Sequence, residues 1–149
     1  MIASGERASR HSLDIAINRG YPVALTGGVL PTAFRMDLQI ALKEDAAASP
    51  RERWRVTLLA YRYVLIEPSR EREWLAFHWH PRREGADHPH LHPGSAILSR
   101  LELAGRHIPT GHITLADVLT FAIAELGVQP ERADWQRVLA KAHAALAGT

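Results

Sequence analysis

An alternation of apolar and polar residues from Phe34 to Leu42 constrains the fold more than any other stretch of this 149-residue chain. Phe34, Met36, Leu38, Ile40 and Leu42 are interleaved with Arg35, Asp37 and Gln39. This is the period-2 signature of a strand with one face buried. A polar loop containing Pro50 follows, and Trp54 to Ile66 reads as a second strand, rich in β-branched and aromatic residues. A hairpin-like connection then leads to a third strand from Glu73 to His80, which Pro81 stops because proline cannot donate to a ladder.

The last third changes period. Leu115, Val118, Leu119, Ala122, Ile123 and Leu126 recur at helical spacing behind Thr114, an N-cap residue with Asp117 three positions on. Gly127 stands where a helix C-cap glycine belongs, and Trp135, Val138, Leu139, Ala142 and Leu146 line one side of a second helix. Strands first and helices after imply an α+β fold: an antiparallel meander sheet of three to four strands, backed by C-terminal helices. The length suits one domain, 1–149, with a sheet and His-rich loop over 34–103 and two helices over 114–147. Residues 1–30 are poorly defined by pattern. Within them 11–20 reads as a short helix ended by Gly20, and Ser95 to Leu103 fits either a strand or a short helix.

Composition narrows the chemistry. The chain has no cysteine, which excludes disulfides and thiolate metal sites, so a bound metal must take nitrogen and oxygen ligands. No apolar leader or membrane-length run is evident, so the expectation is a cytoplasmic protein with no membrane contact. Net charge is +2, and all the basic residues but Lys43 and Lys141 are arginine, which suits phosphate contacts but also follows from GC-rich coding. Motifs for nucleotide-binding loops, serine esterases and zincin metalloproteases are absent. The two C-terminal helices could be read as a helix-turn-helix, but the second is mostly alanine and lacks the polar side chains of a major-groove reader.

The chemistry concentrates in five of the nine histidines, His78, His80, His88, His90 and His92. Imidazole transfers protons near neutral pH and is the commonest metal ligand. Strand alternation turns Leu75, Phe77 and Trp79 to the core, and Trp74, Ala76, His78 and His80 to an open sheet face. Pro89 and Pro93 favour an extended backbone before them, so His88, His90 and His92 share a parity and could lie beside the first pair. Continuing the same alternation through the preceding strand puts Arg55, Thr57, Tyr61 and Tyr63 on that open face.

Three readings of the cluster follow. His78, His80, His90 and His92, with Tyr61 and Tyr63, could do acid–base work on RNA, which carries its own 2′-OH nucleophile and needs no cofactor. Arg55, Arg82 and Arg83 would then bind the nucleic acid. Alternatively, three of His78, His80, His88, His90 and His92, with Asp87 or Glu84, could hold zinc or another divalent metal with an open position. Thirdly, the histidines could simply satisfy hydrogen bonds in a proline-rich loop. His107, His112, His11 and His143 read as structural or solvent-facing.

Tyr61-x-Tyr63, the FHWHP strand end, Pro89-His90-x-His92 and the helix opening at Thr114, Leu115, Val118 and Leu119 together resemble the TumE type of small bacterial toxins. The resemblance covers about residues 60–125. It implies a toxin of a two-component toxin–antitoxin module that acts on RNA or translation and is neutralised by a cognate antitoxin. The leading expectation is therefore a toxin-like, RNA-acting protein. The alternatives are a metal-binding protein, or an interaction module without chemistry, and any of these could be a homo-oligomer.

Overall fold

The computed structural model describes residues 12–44, 49, 54–81, 88–94 and 108–147. It is an α+β protein, and among the described residues seven strands form one antiparallel sheet. The strands are β1 (Ser12–Ala16), β2 (Val23–Leu25), β3 (Thr32–Glu44), β4 (Trp54–Glu67), β5 (Arg72–Trp79), β6 (His90–Pro93) and β7 (Ile108–Pro109). From β3 to β7 each strand pairs with the next, which is a meander. β1 and β2 both pair with the free side of β3. The sheet thus has more than the expected three to four strands.

One of the additional strands, β1, comes from the segment that had looked helical, and β2 follows just beyond it. Residues 12–16 pair with Asp37–Ala41 of β3, and the helical part shrinks to one 3-10 turn over Ile17–Gly20. Asn18 and Arg19 adopt left-handed angles there, so a regular helix could not propagate. Tertiary pairing onto a long strand has overridden a weak local pattern. Ser95 to Leu103 lies outside the described residues.

The helices follow the sequence reading closely. α1 (Leu115–Ala124) opens with a complete capping box, Thr114 Oγ1 accepting from the Asp117 N–H while Asp117 accepts from the Thr114 N–H. α2 (Trp135–Ala147) follows after Gly127, whose φ of 71° suits a residue without Cβ. Val118 of α1 packs with Phe34, Met36, Tyr61, Tyr63 and Leu65 to form the main core on one face of the sheet. Fully burying a side chain such as Leu65 or Val118 contributes about 1.5–3 kcal/mol.

Two irregularities decide which side chains share a face. β3 and β4 are in register as Gln39↔Ala60 and then Ile40↔Leu58, which leaves Leu59 as an extra residue in β4. β4 and β5 are in register as Leu65↔Leu75 and then Ile66↔Glu73, which leaves Trp74 extra in β5. Each bulge shifts the alternation by one residue. Trp54, Val56 and Leu58 consequently share the helix-covered face with Tyr61, Tyr63 and Leu65. Trp74 joins that core instead of standing beside His78. On the opposite face Val64, Ile66 and Ala76 form a small second cluster.

Candidate functional site

The second face carries the histidines. His78 of β5 is paired directly with His90 of β6, and Ala76 with His92, so the three imidazoles stand on one face. Ala76 is fully buried and small, which leaves room for the ring opposite it. Ring centroids lie 5.8 Å apart for His78–His90, 4.8 Å for His78–His92 and 4.8 Å for His90–His92. One ring nitrogen from each can be chosen so that all three lie within 4.8 Å of one another. His80 is 6.1 Å from His78 and 5.7 Å from His90, and exposed His88 is 6.1 Å from His90. The two His-x-His steps therefore meet, as their parity implied.

Burial grades across the cluster. His90 is completely buried, whereas His78, His80 and His92 are partly exposed. His90 forms the floor and its neighbours form the accessible rim. His90 Nδ1 lies 2.9 Å from the backbone carbonyl of His88. A carbonyl only accepts, so Nδ1 carries the ring proton and Nε2 carries the lone pair.

Arg62 completes the site and was not expected from the sequence. It is the Cα partner of His78 on β4, and its Nε–H donates to His78 Nε2 at 3.2 Å. The Arg62 guanidinium is also bound to Glu73, and Arg35 approaches the same carboxylate at 3.8 Å. Burial, and then the positive potential of His92, Arg62, His90 and His80, pushes His78 down to about 3. His78 is thus a neutral imidazole across the physiological range. A cleft of about 670 Å³ borders this edge, with Arg62, His80, Asp37, Gln39 and Trp79 in its lining.

Tyr61 and Tyr63 are not on this face. The Leu59 bulge turns them into the core, where their rings stack at 4.9 Å. The Tyr61 hydroxyl accepts the Ile113 backbone N–H at 3.0 Å, and burial pushes the pKa of both phenols up. Their sequence assignment to the open face is corrected accordingly. Arg55 lies in β4 with Lys43 as its Cα partner, toward the far end of the β3–β4 hairpin from the histidines. Arg82, Arg83, Glu84 and Asp87 lie outside the described residues.

Of the remaining histidines, His11 and His107 lie outside the described residues, and His112 and His143 have structural surroundings. His112 packs edge-on against Trp79 at 4.5 Å, and His143 Nδ1 lies 3.2 Å from Asp117 Oδ1, tying α2 to the start of α1. Arg62 was missed because strict alternation points it into the core. The available signal was the aromatic character of its neighbours, since Tyr61 and Tyr63 match Leu38 and Met36 across β3.

Comparison with known proteins found no matching family model, no matching curated protein and no matching solved structure.

Proposed function

We propose that this protein is a toxin-type protein that acts on RNA, with its chemistry at the histidine cluster of β5 and β6. One observation carries the reading: four imidazoles, from β5, the residue that follows it and β6, converge at one sheet face, with the Arg62 guanidinium hydrogen-bonded to one of them. Proton-accepting rings beside a fixed cation suit a phosphodiester, whose cleavage needs a proton removed from the 2′-OH and added charge on phosphorus neutralised. His80 and His92 are the accessible proton acceptors, while His78, whose lone pair takes the Arg62 N–H, holds the guanidinium beside them. His90, with no exposed surface, positions them from beneath.

The resemblance of Pro89-His90-x-His92 and of the Thr114 helix opening to TumE-type toxins supports the same reading, and with it a cognate antitoxin as partner. Tag-free wild-type protein incubated with total RNA is expected to cleave it, and His92→Ala to lose at least about a hundredfold in rate, the lower range for removing a general acid or base. Intact RNA with wild-type protein would replace this reading with an interaction module.

A further inference from the structure

A neutral imidazole has one nitrogen lone pair in the ring plane, and a metal ion and an N–H donor need the same one. At His90 the carbonyl of His88 takes the Nδ1–H, so the lone pair is on Nε2. An outer-shell carbonyl that fixes the tautomer of an imidazole is the arrangement found behind metal-bound histidines. At His78 the lone pair is already engaged by the Nε–H of Arg62. The nitrogens of His78, His90 and His92 reach within 4.8 Å of one another, on strands whose hydrogen bonding fixes their spacing. Three nitrogen ligands with a partly exposed rim leave a position open to solvent, which is the ligand set of an exchangeable zinc-type centre.

We propose that His78, His90 and His92 bind a zinc-type divalent cation, and that Arg62 competes with the metal for the lone pair of His78. When metal binds, the Arg62–His78 hydrogen bond is given up, whichever ring nitrogen of His78 becomes the ligand. The freed guanidinium stays anchored by Glu73 at the rim of the site. Arg62 is in this sense a positioning residue that sets metal affinity. Rings that ligate a metal no longer accept protons, so a bound metal would take over their role: its coordinated water, made acidic near neutral pH, would supply the base for the 2′-OH, and the cation would neutralise charge on the phosphate. This inference names a cofactor for the site of the proposed RNA chemistry and rests on that reading for its purpose. Metal binding itself is read without RNA, so the two fail separately.

The test is calorimetric titration of tag-free, EDTA-stripped protein with zinc sulfate, repeated with cobalt to read the visible spectrum of the bound ion. One ion per chain is expected. His92→Ala and His90→Gln should each weaken binding by about tenfold or more, and circular dichroism will show whether each variant is folded. Should His90→Gln unfold, partly exposed His92 carries the test alone. Arg62→Met should bind zinc about tenfold more tightly. Arg35→Met removes a cation from the same Glu73 network without touching a ring nitrogen, and should leave affinity within about twofold. No binding by the wild type, or unchanged affinity in a folded His92→Ala, would overturn the site. Equal tightening by Arg62→Met and Arg35→Met would overturn the competition and reduce it to net charge.

Discussion

Arg62 donates its Nε–H to Nε2 of His78 at 3.2 Å, across the β4–β5 pair in which the two residues are direct partners. Burial, reinforced by the positive potential of His92 and Arg62, holds His78 neutral, and acidification should expose that. An unfolded imidazole titrates near 6.5, whereas His78 in the folded protein titrates at about 3, chiefly through burial. Between those values the unfolded chain binds a proton that the folded chain refuses, so stability falls as pH is lowered through that window and is recovered above it. Urea midpoints of metal-free protein between pH 7 and pH 4 should show this slope. It should be reduced in His78→Asn, and equal slopes would mean that His78 is not held neutral.

Tyr61 lies across the sheet from the histidines, and its substitution should separate stability from chemistry. Tyr61→Phe removes the acceptor of the Ile113 N–H and should cost about 1–3 kcal/mol of stability. RNA cleavage per folded molecule should persist. Loss of cleavage with unchanged stability would return Tyr61 to the reaction.

Gly94, directly after β6, lies tight against the backbone of β5. Its N–H donates to the Trp74 carbonyl at 2.8 Å, and a Cβ there would lie 1.5 Å from the Glu73 carbonyl oxygen. The bulge at Trp74 brings that backbone close, so only glycine fits. Gly94→Ala should destabilise the protein by about 2–3 kcal/mol, at the upper end of ordinary substitutions. It should also weaken zinc binding, because displacing β6 moves His90 and His92 together. A thermal melt unchanged by Gly94→Ala would contradict the register of this pair.

Ala76 provides a more local test of the same register. Ala76→Leu puts a larger side chain opposite His92, in a position with no exposed surface. Overpacking of this kind costs about 1–3 kcal/mol. Zinc affinity should fall more than in Arg35→Met. Equal affinities would mean that the His92 ring does not depend on the space beside Ala76.

The sequence revealed as much of this molecule as local pattern determines. The long strands β3, β4 and β5 could be placed from alternation, and α1 from the Thr114–Asp117 capping box. The meeting of the two His-x-His steps was also legible, because prolines on both sides of His90 and His92 restrict the backbone to an extended form. What alternation could not reveal is a bulge. Leu59 and Trp74 each insert one residue, and no composition signal marks either as unpaired. That single-residue shift moved Tyr61 and Tyr63 to the core and brought Arg62 to the histidines. Strand β1 was unreadable for a different reason. Its five residues are stabilised by pairing with β3, a long-range interaction that a short polar-apolar segment does not announce.

The most direct test is RNA cleavage by tag-free protein before EDTA treatment, after it, and after zinc is restored. The account predicts that EDTA abolishes cleavage and zinc recovers it in the wild type, with no recovery in His92→Ala. Cleavage unaffected by EDTA, or an active His92→Ala protein, would contradict a metal-dependent reaction at His78, His90 and His92.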